Sequence, residues 1–323
     1  MNNSKPLVLG SENHGKIKVI LDTDPGNDDL IAIIMALKSD FIDVRGLTIV
    51  GGNTSLENTT NNALSLLTYM GRVDVPVYVG NPSALNEVST SAEEFDEFIS
   101  HRIEIHGATG LHVELPEAFI KPKAMHAVDF IIREAESNKG EIILVPVGPL
   151  TNIAKAIKKE PRLKEWVRSI HIMGGAMEVP GNVTDYAEFN IYCDPEAAND
   201  VFSSGVEIKL CGLDITRVTS VGKEEANWLL GNSPEEKLIR QLLVAVFEKD
   251  PKRKSFSLHD PVAVLSVLHP ELFEWKMFSV SVASSGPEFG RTIGSASEDG
   301  LVAVGVNINE QEAKARIAEI LAT

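Results

Sequence analysis

Four carboxylates crowded into one turn constrain this chain more than any other feature. In KVILDTDPGNDDLIAIIMAL, residues 18–37, a short apolar run breaks into Asp22, Asp24, Asp28 and Asp29 and then becomes a long apolar segment. Val19, Ile20 and Leu21 read as a buried strand, Pro25 and Gly26 as a turn, and residues 30–37 as a helix apolar on most sides. The acids therefore meet where a strand ends and a helix begins. A helix dipole stabilises negative charge there by roughly 0.3 to 1 kcal/mol, which accounts for two acids and not for four. Like charges about 5 Å apart repel by about 1 kcal/mol in water and more in a crevice, so the group needs protons or a cation. All-oxygen donors favour calcium or magnesium over zinc.

Beyond this stretch, apolar β-rich runs alternate with helical segments, which predicts an α/β fold: an open, mostly parallel sheet with helices on both faces. Strands are expected within residues 44–53, 76–80, 141–147, 169–175 and 206–216. Helices are expected at 58–70 and 124–137, from Thr151, through DPEAANDVFSSG, as a pair within 223–248, from LHDPVAVLSVL, and at 310–321. Residues 81–122 read as a loop excursion over the sheet, with an acidic helix at 92–100. No Pro-, Gly- or Ser-rich linker divides the chain, so residues 18–323 are expected to form one domain behind a loose leader, 1–17. In an open parallel sheet, ligands bind outside the carboxyl ends of the strands. The acids of 22–29, Gly51 to Asn53, the turn 147–152, the loop to Asn190, and Asp214 should therefore converge.

Composition narrows the class of partner. The chain has 323 residues, a formal net charge of −16, and no apolar run long enough for a membrane helix. Such a charge opposes binding to a nucleic-acid polymer, which relies on clustered Lys and Arg. A small neutral or cationic substrate fits better. The start lacks the longer apolar core and small-residue cleavage site of an export signal, and only Cys193 and Cys211 occur, so a reducing cytoplasm is the expected compartment.

The run VILDTDPGNDDLIA closely resembles the opening motif of the nucleoside hydrolases, enzymes that cleave the N-glycosidic bond of ribonucleosides with a bound calcium ion. LTIVGGN, IHGATG, LVPVGPLTNIA, MGG followed by GNVTDYAEFNIYCDPEAA, and LHDPVA resemble that family's later motifs in order, from about Lys18 to about Ala263. The resemblance implies a Rossmann-like nucleoside hydrolase fold with Asp24, Asp29 and Asp260 as calcium ligands, completed by the backbone carbonyl of Val147. It implies that Asp28 touches the metal and acts as the base. It further implies that Asn53, Asn182, Glu188 and Asn190 hold the ribose hydroxyls, that His259 protonates the leaving base, and that His106 lines the pocket. A dimer or tetramer is also implied.

Some of these assignments carry physical expectations of their own. In an extended segment, Glu188 and Asn190 would face the same way while Phe189 turns to the core. Asp22 is expected to brace the turn by accepting neighbouring backbone amides. Phe247 falls where some relatives place a Tyr that contacts the base; a Phe can stack but cannot donate. Trp166, Trp228 and Trp275 lie outside the expected site loops, so a purine held between two Trp rings is not expected, and base preference is read as pyrimidine or broad. His101, His112, His126, His171 and His269 carry no such context and read as surface or structural. Two alternatives compete. A non-catalytic calcium-dependent ribose or nucleoside binder could share every ribose contact. A magnesium-dependent phosphoryl-transfer enzyme would want Lys or Arg in loops that here read as acidic or amide-rich. A dinucleotide site is disfavoured because no GxGxxG turn follows the first strand.

Overall fold

A computed structural model of the chain describes residues 15–82, 107, 109–225 and 231–323. The first strand, β1 (Ile17–Thr23), sends Val19 and Leu21 to one face and Ile20 to the other, as the two-residue period of a strand requires. Helix α1 (Asn27–Lys38) follows, with Leu30 to Ala36 all at most 1 % exposed. Next come β2 (Ile42–Ile49), α2 (Leu56–Tyr69) and β3 (Val77–Val79). Beyond residue 107 the described chain returns through α3 (Ala127–Ser137), β4 (Ile142–Pro146), α4 (Thr151–Lys159), α5 (Leu163–Trp166) and β5 (Val167–Met173). Two helices, α6 (Phe189–Cys193) and α7 (Pro195–Phe202), precede β6 (Ile208–Cys211) and α8 (Leu213–Thr216). The last quarter holds β7 (Ser220–Gly222), α9 (Pro234–Lys249), β8 (Ser255–Ser257), α10 (His259–Leu268), β9 (Phe273–Val282), β10 (Thr292–Ala296), β11 (Val302–Ile308) and α11 (Glu310–Ala322).

Nine strands form one sheet in the order β10-β9-β11-β6-β5-β4-β1-β2-β3, and β7 pairs with β8 in a separate ribbon. The neighbours from β11 to β3 are parallel, while β9 runs antiparallel to β11 and to β10. The chain steps outward from β1 through β2 and β3, then returns to the other side of β1 with β4. Strand order therefore reverses between β1 and β4, the crevice where open α/β sheets take their ligands. Each face of the sheet carries its own apolar cluster. One packs beneath α1, α2, α9, α10 and α11, the other beneath α3, α4, α5 and α7. At roughly 1.5–3 kcal/mol for each fully buried Leu or Ile, these two layers hold the sheet's ends in register.

Two local expectations change. Residues 206–216 are not one strand: β6 stops at Cys211, and Gly212 opens the short helix α8. The pair of helices expected within 223–248 resolves, among the described residues, into a 3-10 turn at Lys223–Glu225 and the single long α9, whose start is fixed by a Ser233–Glu236 capping box with Pro234 in the first turn. The basic segment after α9 contains β8. The acidic helix expected at 92–100 lies outside the described residues.

Candidate active site

The acids of the opening stretch do collect at the C-terminal end of β1. Asp24 is wholly buried, and its Oδ2 accepts the Asn53 N–H at 2.6 Å while Oδ1 has no hydrogen-bond partner among the described residues. Two glycines make room for it. A Cβ at Gly52 would stand 2.1 Å from Asp24 Oδ2, and one at Gly148 would stand 2.4 Å from Oδ1. Asp29 is pinned by four donors: Thr23 Oγ1 at 2.5 Å and the Asp24 N–H at 3.2 Å to Oδ1, Gly26 N–H at 2.9 Å and Asn53 Nδ2 at 2.8 Å to Oδ2. Asn53 also donates to the Asp24 carbonyl at 3.1 Å, so one side chain ties the strand end to the helix start.

Asp260 arrives from the first turn of α10, which packs beside α1 on the same face of the sheet. It lies within hydrogen-bonding reach of Asp29. Oxygens of Asp28, Asp29 and Asp260 fall within 4.8 Å of one another; Asp29 and Asp260 are buried, and Asp28 keeps a partly exposed edge. Burial pushes all three carboxyls, and that of Asp24, upward, and repulsion among them pushes Asp24, Asp28 and Asp260 further. A shared cation answers both the crowding and the orphaned Asp24 oxygen. The residues fit a hard metal ion, and this group could hold one.

Asp22 does not brace the turn through neighbouring amides. Its Oδ2 accepts Thr48 Oγ1 from β2 at 2.6 Å and Asn152 Nδ2 from α4 at 2.9 Å, so it clamps β1, β2 and α4 together. Burial raises its carboxyl to about 7 against those two donors.

On the ribose side, the extended reading of 188–190 fails because Glu188 caps α6. Its carboxylate accepts the N–H groups of Asn190 (3.0 Å), Ile191 (3.2 Å) and, across the loop, Gly175 (3.0 Å). Phe189 is only half-buried as the first residue of that helix. Asn190 donates to the carbonyls of Val147 at 2.9 Å and Met173 at 3.2 Å, which brings the expected carbonyl ligand and an expected ribose contact together. Asn182 is exposed, and its Oδ1 accepts the Phe189 N–H at 2.9 Å. Asp214 stands further back, accepting the Met177 and Glu178 N–H groups and shaping the loop after β5.

His259 opens α10 beside Asp260. Its Nδ1 pairs with Thr216 Oγ1 at 2.8 Å, leaving Nε2 for the site. Burial, with Arg217 and Arg253, pulls this imidazole down to about 4, so the free site favours the neutral ring. Phe247 is buried in the same apolar cluster as Leu111, Leu213 and Leu258. His106 lies outside the described residues.

Two residues escaped the sequence reading. His112 sits against Asn27, one residue before Asp28: Asn27 Oδ1 accepts the His112 N–H at 3.0 Å, and Asn27 Nδ2 meets His112 Nδ1 at 2.8 Å. Its one signal was its place just after the glycine loop, Gly107 and Gly110, both with positive φ. Arg253 acts electrostatically on Asp28, His112 and His259 alike, so the site's approaches are not only acidic or amide-rich. Of the other histidines, His126 caps α3, His171 is buried against Ser266, and His269 pairs with Glu271, while His101 lies outside the described residues.

Comparison with known proteins identifies the family. The family profile described as inosine-uridine preferring nucleoside hydrolase matches residues 19–321. The pyrimidine-specific ribonucleoside hydrolase RihA of Photobacterium profundum is 39 % identical over 261 residues, 79 % of this chain and 81 % of that protein. RihB of Escherichia coli, also named pyrimidine-specific, is 37 % identical over 284 residues, 86 % of this chain and 87 % of its own. A plant nucleoside hydrolase structure superposes with a TM-score of 0.85 at 33 % identity, covering 95 % of this chain and 99 % of that one. A purine-preferring ribonucleoside hydrolase from Gardnerella vaginalis superposes with a TM-score of 0.83 at 32 % identity, covering 94 % and 99 %.

Proposed function

Because the chain belongs to the inosine-uridine preferring nucleoside hydrolase family, which cleaves the N-glycosidic bond of ribonucleosides, we propose that it runs this reaction as a calcium-dependent enzyme with Asp28 as base. The observation that carries the reading is the carboxylate group itself: Asp28, Asp29 and Asp260 within 4.8 Å, beside the unpartnered Asp24 Oδ1. Asp24, Asp29, Asp260 and the Val147 carbonyl would hold the ion. When bound, calcium would fix the ribose 2′,3′-diol and make a neighbouring water more acidic.

The chain's own residues do the rest. Departure of the base builds positive charge on C1′ and the ring oxygen, and the fixed carboxylates stabilise it without reorganising. Asp28, the member of the group with an exposed edge, takes the proton of the attacking water as oxygen bonds to C1′. Asn53, Asn182, Glu188 and Asn190 orient the ribose hydroxyls; amide and carboxylate groups suit a diol because their directions are fixed. His259, neutral and held by Thr216, donates a hydrogen bond from Nε2 toward the departing base. Its pull to about 4 by burial makes it a hydrogen-bond donor in the free site more than a store of a full proton. His106 lines the pocket, and Phe247 offers an apolar face to the base.

Base preference is proposed as pyrimidine or broad: two sequence relatives are named pyrimidine-specific, while a structural relative of similar identity is named purine-preferring. Among the described residues no helix is long and apolar enough to cross a membrane, and Cys193 and Cys211 are both buried; we place the enzyme in the cytoplasm as a homo-oligomer, with residues 18–323 as its one domain. The test is ribose release from uridine, cytidine, inosine and adenosine, with calcium and after chelation. Loss of activity on chelation, restored by calcium, is expected; equal rates in both conditions would refute the metal's part.

A further inference from the structure

The neighbourhood of His112 holds a hydrogen-bond donor with nothing to donate to among the described residues. Its tautomer can be read from the contacts. Asn27 Oδ1 accepts the His112 backbone N–H, so the amide's other end, Nδ2, must donate to His112 Nδ1. Nδ1 is therefore unprotonated and the ring proton sits on Nε2. That Nε2 is buried and has no hydrogen-bond partner among the described residues. Burial, with Lys249 and Arg253 beside it, pulls the ring down to about 4, so it remains a neutral donor at physiological pH. Arg253 adds a second donor group: its Nε reaches the Ser255 carbonyl at 3.3 Å, and it makes no ion pair with an acid among the described residues.

The loop bearing His112 is fastened to the carboxylate turn. Asn62 Nδ2 bridges the carbonyls of Pro25 (2.9 Å) and Thr109 (2.8 Å), and a Cβ at Gly110 would stand 2.9 Å from Thr54 Cγ2, so the loop seats closely there. His112 is thus held one residue from Asp28, while Arg253 acts on Asp28 and His259 as well. An orphaned, pre-oriented N–H among cations is built for an acceptor that gains negative charge.

Building on the hydrolase reading, we propose that His112 is a catalytic contact to the leaving group: its Nε2–H donates to a carbonyl oxygen of the base, with Asn27 as its positioning residue. As the C1′–N bond breaks, its electron pair passes to the base and delocalises onto that oxygen. The hydrogen bond strengthens at that moment, so it stabilises the transition state more than the bound nucleoside. Water then supplies hydroxide to C1′ and the proton that completes the free base. The ligand class is an oxo-base such as uracil, with the acceptor on its carbonyl edge.

The test compares uridine with p-nitrophenyl β-D-ribofuranoside, whose leaving group carries no base carbonyl, in the full-length protein with calcium. His112→Ala should lower kcat/KM for uridine at least tenfold more than for the aryl riboside, with the loss in kcat. His112→Gln, which restores an N–H donor, should recover part of the uridine rate. Equal losses on both substrates would show that His112 only supports the fold, and no loss on uridine would show that it touches nothing; either overturns the proposal. A wild-type protein that releases ribose from neither substrate would overturn the hydrolase reading, and this proposal with it.

Discussion

The carboxylate turn and the wall around His112 are joined through Asn27, yet they are assembled on opposite plans. The turn grows from the sheet: Asp22 is clamped to β2 and α4, and Asp29 is held by four donors. The wall is made from a glycine-containing loop and the basic segment after α9, and its characteristic group, His112 Nε2, has no partner among the described residues. Even their electrostatics oppose each other. Burial raises the acids of the turn and lowers the imidazole of the wall. Chemistry common to every ribonucleoside belongs on the first plan, because its geometry must not vary. Choice of base belongs on the second, where loop residues can differ without disturbing the sheet.

If the turn carries the reaction, removing its base should produce the largest effect. Asp28→Ala is expected to lower kcat for uridine by about 10³-fold or more, about 4 kcal/mol of barrier, while ribose still binds in calcium. Ribose release and equilibrium binding measure the two parts; wild-type turnover would end the assignment. Next in size is a pH effect. Asp22 stands at about 7 in the folded protein against an ordinary 3.8, so the folded state holds a proton that the unfolded state has lost between those values. Its contribution is present below 3.8 and is lost as pH rises through about 7, at most about 4 kcal/mol. Asp22→Asn should flatten that slope in denaturant titrations of the metal-free protein; an unchanged slope would relocate the proton.

Smaller effects probe the junction of the two plans. Calcium at about 100 times its dissociation constant should stabilise the wild type by about 2.7 kcal/mol in thermal unfolding, and Asp260→Ala should gain almost nothing at the same concentration. Asn62→Ala cuts the bridge between Pro25 and Thr109. It should cost about 1 kcal/mol of stability and lower kcat/KM for uridine a few-fold, leaving calcium stabilisation intact. Loss of the calcium effect in that variant would mean that wall and turn are one unit.

Much of the turn was legible in the chain because its signals are local. A strand, a Pro-Gly turn and a buried helix are encoded within twenty or so residues, and the crowding of Asp22, Asp24, Asp28 and Asp29 needs no tertiary knowledge. The strand alternation likewise announced the parallel sheet. What failed was local geometry set by tertiary partners. Glu188 looked like one of an extended pair, but the free N–H groups of α6 made it a cap. Asp22 found side chains from β2 and α4 in place of its own turn's amides. His112 was dismissed because its meaning lies in Asn27, eighty-five positions away.

The side-by-side packing of α1 and α10 has a consequence for how the enzyme comes into being. Asp260 belongs to the last quarter of the chain, so a polypeptide still emerging from the ribosome carries Asp24, Asp28 and Asp29 without the carboxylate that completes their group. On the proposed reading, such a chain would have too few carboxylates at the crevice to hold the ion well. On that reading, ion capture and turnover would begin together, only once α10 has docked, and metal affinity would report that docking.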